Sequence, residues 1–159
     1  MPVEERKFLK IGHRGAMGYE PDNTLGSFQK AIEWGLDMVE LDVRLCKSGE
    51  LVVIHDEKVD RTTNGRGFVR DKTLAELRQL DAGPDVNLSS TESRRGREDI
   101  EDPRFTNFDK NRKVNRDKGQ RILALDEVLE IVNRRVAVNI ELKGEKTALL
   151  VVQLILHCL

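Results

Sequence analysis

Two acidic residues inside an otherwise apolar stretch are the first sign of chemistry in this chain. Polar and apolar residues alternate along residues 38–45, so Glu40 and Asp42 share one face of a predicted strand. Their carboxylates would stand about 6–7 Å apart and repel each other unless something neutralises them. A divalent cation with oxygen ligands, Mg²⁺ or Ca²⁺, would do so. For this pair alone, the ordinary alternative is a solvated strand face on which Arg44 balances the acids.

A second stretch, 136–143, repeats the alternation and places Glu141 and Lys143 on its polar face. Glu141 would add a third hard oxygen ligand to the first two carboxylates. Lys143 and Arg14 are cations that suit an anionic group, and a phosphate fits best beside a divalent metal. These residue types together indicate a metal-assisted phosphate site.

Two histidines lie where short apolar runs end. His13 follows the run 8–12, and His55 follows the run 51–54. Because imidazole gains or loses a proton near neutral pH, two histidines that face each other across a substrate can act as general base and general acid. Each histidine alone is more often a polar cap at a strand end, but the coincidence of all these polar groups favours a site.

The elements that must position these groups follow the predicted order β-α-β-β-α-insertion-α-β-α. Helices are predicted over 25–32, after Thr24, and over 125–132, and a capping-box pattern starts at Thr73. The run 51–55 is apolar on both faces, which is typical of a strand in a parallel sheet that is covered on both sides. The carboxyl ends of parallel strands meet on one side of a sheet or barrel, so the polar groups are expected on one rim.

Length and composition favour one domain. The chain has 159 residues, and its segment 85–120 is polar, charged and aperiodic, which predicts a mobile insertion. Lys+Arg 27 and Asp+Glu 28 nearly cancel, and the net charge of -1 argues against nucleic-acid or membrane-surface binding. The apolar helix predicted over 147–159 is too short to span a bilayer, so no transmembrane segment is expected.

The cysteines and the N-terminus bear on location. Cys46 and Cys158 have neither metal-ligand spacing nor the density of a disulfide framework. Residues 1–7 lack the apolar core of a signal peptide. A reducing, cytoplasmic setting is therefore expected.

Several short motifs resemble those of one known family, the glycerophosphodiester phosphodiesterases. The motifs stand in the family's order between residues 11 and 143, and an ordered set is far more specific than one short pattern. They are His13-Arg14-Gly15, Glu20-Pro21-Asp22-Asn23-Thr24, 39–44, His55-Asp56, Asp60-Arg61-Thr62-Thr63-Asn64-Gly65-Arg66-Gly67 and Asn139-Ile140-Glu141-Leu142-Lys143.

The resemblance implies a (β/α)₈ barrel of the TIM type and metal-dependent hydrolysis of glycerophosphodiesters to glycerol 3-phosphate and an alcohol. A glycerol hydroxyl would attack the phosphorus, and the cyclic phosphate so formed would then be hydrolysed. The resemblance also implies the roles of individual residues. His13 and His55 would be the acid–base pair, and Glu40, Asp42 and Glu141 would bind the metal ion, Mg²⁺ or Ca²⁺. Arg14 and Lys143 would bind the phosphate, with Asp22, Asn23 and Asp56 supporting these groups.

The chain departs from the family's pattern in three places. Asp22 stands where the family usually has Glu, so its carboxylate is expected to reach partners less well. Ala124 stands where the family usually has Thr, which would remove a helix cap of about 1 kcal/mol. The insertion at 85–120 is also longer than the family's usual connection.

Length is the largest departure, because a barrel of this type takes roughly 250 residues. The whole chain, 1–159, is predicted to form one partial barrel domain with about the first four β/α units and two open sheet edges. It is either a piece of a longer protein or one of two copies that close a barrel together. The open edges and the apolar helix from residue 147 predict self-association in both cases.

Two other functions stay open. A related enzyme of the lysophospholipase D type would use the same residues on a lysolipid, and an apolar groove in the second half of a barrel would favour it. A half-barrel could also bind metal and anions without turnover, or act only by assembly with another chain.

Overall fold

The computed structural model describes residues 8–83 and 119–158. Strands and helices follow one another in the predicted order, which is confirmed for this part of the chain. In sequence they are β1 (Ile11–Gly12), α1 (Leu25–Glu33), β2 (Met38–Leu45), β3 (Leu51–Val53), a 3₁₀ turn (Val69–Asp71), α2 (Leu74–Leu77), α3 (Leu125–Val132), β4 (Ala137–Leu142) and α4 (Thr147–Cys158).

The other three strands all pair with β2. β1 and β4 run parallel to β2, with Ile11 opposite Met38 and Glu141 opposite Asp42. The carboxyl ends of these three strands point the same way, so side chains at those ends share one edge of the sheet. This edge holds the polar residues that the sequence predicts there.

The prediction of a parallel strand over 51–55 is wrong, because β3 runs antiparallel to β2 with Val53 opposite Val43. The two strands are joined by a tight turn in which Cys46 N donates to Glu50 O at 3.0 Å. So short a connection joins only antiparallel neighbours, since a parallel pair needs a crossover of a dozen residues or more. β3 thus returns along β2, and Ile54 N donates to Asp42 O at 2.9 Å.

Both faces of β2 are buried. Val39, Leu41 and Val43 are fully buried and pack in the main core with α1 and α3. Each such side chain contributes roughly 1.5–3 kcal/mol when it leaves water. Glu40 and Asp42, on the opposite face, are buried as well. The strand is therefore held from both sides, and its carboxylates have little freedom to move.

The helix ends agree with the predicted caps. Thr24 Oγ1 accepts from Ser27 N at the start of α1, and Thr73 and Glu76 form the predicted capping box of α2. At Ala124 the side chain makes no capping hydrogen bond, as expected from the missing Thr. Glu127 Oε2 accepts from Ala124 N at 2.9 Å instead, which supplies half of a capping box.

The predicted insertion at 85–120 lies outside the described residues, except for its last two positions, and it stays a prediction. The residues on either side of the undescribed range meet at one carboxylate. Asp81 Oδ1 accepts from Gly83 N at 2.9 Å and from Gly119 N at 3.3 Å. The chain therefore leaves and re-enters the described structure at the same place.

Apolar side chains are exposed on the last strand and helix. Leu142 in β4 is 42% exposed, and Leu149 and Leu156 in α4 are 66% and 69% exposed. Large exposed apolar patches on a protein mark surfaces that interact with other molecules. Over 8–83 and 119–158, no helix combines the length and the apolar character that crossing a membrane requires.

Gly15 is predicted to be essential to the turn that carries the polar groups after β1. Its φ is +82°, and an added Cβ would lie 2.5 Å from Ser27 Oγ and 2.8 Å from the Ser27 carbonyl carbon. Left-handed backbone costs an L-residue roughly 1–2 kcal/mol, and overpacking adds a further 1–3 kcal/mol or so. Gly15→Ala should therefore lower the free energy of urea unfolding by about 2 kcal/mol or more.

Gly49→Ala is the matched control, because Gly49 also has a positive φ, +97°, but nothing lies within 4 Å of an added Cβ. This variant should lose only the backbone cost of roughly 1–2 kcal/mol. Equal losses in the two variants would mean that the turn does not pack against α1 as described.

Candidate active site

Three carboxylates converge at the edge where β2 and β4 lie side by side. Glu40, Asp42 and Glu141 each bring one oxygen to a common point, and these oxygens all lie within 4.8 Å of one another. Asp42 is fully buried and Glu40 is nearly so, whereas the Glu141 side chain is about half exposed. The cluster thus has a buried floor and an open side.

Asp42 is surrounded by positive and amide groups from three parts of the chain. Arg14 Nε lies 3.2 Å from Asp42 Oδ2, which also accepts from Asn23 Nδ2 at 3.1 Å. Lys143 Nζ lies 3.5 Å from Asp42 Oδ1. Arg44 does not provide the balancing charge of the ordinary alternative, because its Nε donates to the His55 carbonyl at 2.8 Å.

Two buried carboxylate oxygens in the described structure make no hydrogen bond, Glu40 Oε1 and Asp42 Oδ1, although Lys143 Nζ forms a long ion pair of 3.5 Å with Asp42 Oδ1. The other Glu40 oxygen, Oε2, accepts from Arg14 N at 2.9 Å. Buried acceptors without a donor are costly, and both belong to the three-carboxylate cluster. An oxygen-seeking divalent cation would satisfy them, so the residues present fit a magnesium or calcium ion.

His13 lies beside the cluster without being fixed by it. Its Nε2 is 3.7 Å from Glu40 Oε2, which is beyond hydrogen-bond distance, and about half of the side chain is exposed. The imidazole is therefore accessible from the open side of the site.

His55 is held much more tightly, through its neighbour in sequence. His55 Nδ1 lies 2.6 Å from Asp56 Oδ1, and Asp56 also accepts two hydrogen bonds from Arg61. Burial opposes ionisation of Asp56, but the hydrogen bonds from Arg61 and His55 outweigh it and lower the pKa of Asp56 to about 2. An ionised carboxylate can only accept, so Nδ1 of His55 carries the proton of this hydrogen bond.

Asp22 has two cationic partners, despite the shorter side chain. Its Oδ2 accepts from Arg14 Nη1 at 3.0 Å and lies 3.6 Å from Arg61 Nη1. The expected loss of reach is therefore not seen toward these two groups. Asn23, the next residue, has a left-handed φ of +57° that brings its amide to Asp42.

Lys143 binds two of the three carboxylates. Its ammonium donates to Glu141 Oε1 as well as facing Asp42. The hydrogen bond from Lys143 is the main cause of a lowered pKa at Glu141, and the charge of His55 is a smaller one. His55 lies close to the rim that holds the carboxylates even though β3 runs antiparallel, because the preceding residue, Ile54, donates its N–H to Asp42 O at 2.9 Å.

All ten residues predicted for the site are described, and they lie in two groups joined at Asp22. The first group is Arg14, Asn23, Glu40, Asp42, Glu141 and Lys143, with His13 beside it; the second is His55 and Asp56. Sequence reasoning gave no role to Arg61, which contacts both Asp22 and Asp56. Its place in the motif 60–67 was the available indication.

The ionised state of Asp56 predicts an acid-sensitive contribution to stability. Its folded pKa, about 2, is below the ordinary value of 3.8, so the stabilisation is present above about pH 4 and is lost as pH falls toward 2. Between about pH 4 and pH 2, the free energy of urea unfolding should therefore fall by up to about 2 kcal/mol more in wild type than in Asp56→Asn. The control is Asp71→Asn, which replaces an exposed aspartate. The free energy of unfolding of this variant should vary with pH as it does in wild type. Parallel pH curves for wild type and Asp56→Asn would contradict the assignment.

Known proteins match this chain over most of its length. A sequence model described as the glycerophosphoryl diester phosphodiesterase family matches residues 13–155. YhdW of Bacillus subtilis is 44% identical over 134 residues, which are 84% of this chain and 44% of the relative. A glycerophosphodiester phosphodiesterase structure from Agrobacterium tumefaciens is 35% identical with a TM-score of 0.70, over 94% of this chain and 53% of that one.

A second solved structure is an Oleispira antarctica phosphodiesterase in complex with the product sn-glycerol-3-phosphate. It is 33% identical with a TM-score of 0.62, over 84% of this chain and 43% of that one. The chain thus spans about half the length of its relatives, whose fold is of the TIM-barrel type, and its open α/β sheet corresponds to part of such a barrel. From these matches and the motifs that carry them, the chain belongs to the glycerophosphoryl diester phosphodiesterase family.

Proposed function

We propose that this chain carries the catalytic half of a phosphodiesterase that hydrolyses glycerophosphodiesters to glycerol 3-phosphate and an alcohol. The observation that carries the proposal is the convergence of one oxygen each from Glu40, Asp42 and Glu141 within 4.8 Å, where Glu40 Oε1 and Asp42 Oδ1 are buried without a hydrogen bond. The Oleispira relative, matched over 84% of this chain, holds sn-glycerol-3-phosphate. Membership of the family supports the same substrate class.

Glu40, Asp42 and Glu141 are the proposed metal ligands, for Mg²⁺ or Ca²⁺. When bound, such an ion would neutralise charge that develops on phosphate oxygens during transfer. The buried floor formed by Glu40 and Asp42 fixes two ligands in advance, and the exposed Glu141 leaves an open side toward the substrate.

Arg14 and Lys143 are the proposed phosphate-binding groups. In the structure their cations already face carboxylate oxygens, Arg14 at Asp42 and Asp22 and Lys143 at Asp42 and Glu141. A phosphate entering beside the carboxylates would meet both cations at the same rim. Their charges would oppose the increase of negative charge on the equatorial oxygens in an in-line transfer.

His13 and His55 are the proposed acid–base pair. In the first step a glycerol hydroxyl oxygen bonds to phosphorus, one histidine takes the hydroxyl proton, and the other protonates the leaving alcohol as its P–O bond breaks. In the second step a water oxygen bonds to phosphorus as one ring P–O bond breaks. The histidine left deprotonated takes a water proton, the other histidine gives its proton to the released glycerol oxygen, and both regain their first states. His55 is suited to this work because its Nδ1 proton is held by Asp56, which leaves Nε2 free.

Asp22, Asn23 and Asp56 are proposed to support these groups without touching the reacting atoms. Asp22 holds the Arg14 guanidinium, Asn23 donates to Asp42, and Asp56 orients His55. Partners of this kind fix the orientation of ligands and catalytic groups.

Self-association is proposed as the way in which this chain covers its open surface. The support is the exposed apolar side chains of β4 and α4, Leu142, Leu149 and Leu156. The alternative is an inactive half-barrel that binds metal and phosphate only. The cytoplasmic location expected from the cysteine content stays a prediction.

Purified protein is expected to hydrolyse glycerophosphocholine when Mg²⁺ or Ca²⁺ is added and to stop when a chelator follows. His13→Ala and His55→Ala should each lower kcat by about a hundredfold or more, because a positioned acid or base typically contributes 10²–10⁴-fold. The measurement is the release of choline from glycerophosphocholine. Release of choline from lysophosphatidylcholine, assayed in parallel, tests the lysophospholipase D alternative.

His157→Ala is the matched control, since His157 is an exposed histidine of α4 that is not among the predicted site residues. It should keep the wild-type rate. Undiminished activity in both His13→Ala and His55→Ala would refute the acid–base assignment. Folded protein without any turnover would favour the inactive half-barrel.

Solution mass tests the proposed self-association. Light scattering should give a dimer or larger species, and replacing two exposed α4 residues together, Leu149→Glu and Leu156→Glu, should shift it toward the monomer. Leu25→Glu, at an exposed apolar position of α1, is the control and should not change the mass. A folded wild-type monomer at all concentrations would contradict the proposal.

A further inference from the structure

Arg61 joins two acidic residues that come from different loops. Its Nε and Nη2 donate to Asp56 at 2.6 and 3.0 Å, one to each carboxylate oxygen. Its third nitrogen, Nη1, lies 3.6 Å from Asp22 Oδ2. Asp56 follows β3 and Asp22 precedes α1, so this one guanidinium ties the two loops together.

The contact between Arg61 and Asp56 bears on which ring nitrogen of His55 carries a proton. Asp56 is ionised at neutral pH and can only accept hydrogen bonds, and its Oδ1 lies 2.6 Å from His55 Nδ1. In the neutral imidazole the proton therefore sits on Nδ1, and the lone pair is on Nε2. A free imidazole prefers the opposite tautomer, so the state of His55 depends on an ionised and correctly oriented Asp56.

The Asp22 end of the arrangement leads to the carboxylate cluster. Asp22 accepts from Arg14 Nη1 at 3.0 Å, and Arg14 Nε lies 3.2 Å from Asp42. Charges of alternating sign therefore run from Asp56 through Arg61, Asp22 and Arg14 to Asp42, and Asp56 also binds His55 Nδ1.

The loop that carries Arg61 is itself fixed by hydrogen bonds from its neighbours. Asp60 Oδ2 accepts from Gly67 N at 2.7 Å, and the buried Thr63 donates to Val59 O at 2.7 Å. Thr63 Oγ1 also accepts from Gly65 N at 3.0 Å. Arg61 thus starts from a well-defined backbone position, which its two-pronged contact with Asp56 requires.

We propose that Arg61 is a positioning residue that fixes the His55 proton on Nδ1 by orienting Asp56. This inference rests on the proposed function in assigning His55 to proton transfer. A lysine cannot replace Arg61 fully, because an ammonium is a point charge and lacks the planar fork that binds both carboxylate oxygens.

The ordinary alternative is that Arg61 only stabilises its loop. A stabilising contact would change the unfolding free energy but would leave the His55 tautomer as it is. The position of the ring proton therefore separates the two roles, and nitrogen NMR of labelled histidine reports it directly. The chain has three histidines, His13, His55 and His157, so single alanine variants assign the signals.

The experiment compares Arg61→Gln and Arg61→Lys with Arg66→Gln, which removes the same charge from an exposed position of the same loop. In wild type and Arg66→Gln, the neutral His55 ring should carry its proton on Nδ1. In Arg61→Gln the Nε2–H form should become substantial, and kcat for glycerophosphocholine should fall by about ten- to a hundredfold with little change in KM. Arg61→Lys should lie between the two.

If Arg61→Gln does not fold, Arg61→Lys provides the same comparison with the charge retained. A His55 tautomer that matches wild type in every folded Arg61 variant would overturn the inference, whatever the activity. A shifted tautomer together with a fully active His55→Ala enzyme would support the positioning role and refute instead the catalytic role proposed for His55. The two ideas therefore fail in different measurements.

Discussion

The structure depends on the complete burial of one carboxylate. Asp42 has no exposed surface, and a buried charge is strongly unfavourable unless oppositely charged or donor groups surround it. Arg14, Asn23 and Lys143 supply these groups from the turn after β1, from the start of α1 and from the end of β4. Because the buried carboxylate of Asp42 is stabilised by these positive and donor groups, three separate segments of the chain meet at one edge of the sheet.

The same constraint explains why the residues around Asp42 adopt unusual backbone conformations. Arg14 and Asn23 both have left-handed φ values, +51° and +57°, which cost residues other than glycine free energy. At these values the Arg14 N–H reaches Glu40 and the Asn23 amide reaches Asp42. The hydrogen bonds that Arg14 and Asn23 donate to buried carboxylates offset the free-energy cost of their left-handed backbone conformations.

The hairpin between β2 and β3 adds the second group of charges. Because β3 returns beside β2, His55 comes back to the level of the carboxylates rather than ending at a separate strand. Asp22 then joins the two groups through Arg14 and Arg61. The assembly stays open on the side of the half-exposed Glu141, and apolar side chains of α4 are exposed as well.

Much of this could be read from local patterns. Period-two alternation over 38–45 was enough to predict β2 and to place Glu40 and Asp42 together, since alternation is a property of the strand itself. Caps at Thr24 and Thr73 were equally local, because each involves a hydrogen bond spanning three residues. The motifs also contained the three carboxylates that the structure brings together, Glu40, Asp42 and Glu141.

The contacts of Arg61 were decided only by tertiary structure, and the composition of residues 51–55 did not give the direction of β3. An apolar run such as 51–55 is buried equally well in a parallel sheet or a hairpin, so its composition does not choose the partner, although the short turn before it indicated a hairpin. The contacts of Arg61 join residues 5 apart and 39 apart in the chain, Asp56 and Asp22, by folding two loops toward each other. The sequence by itself determined which groups are present; their pairing depended on long-range packing, which no local pattern encodes.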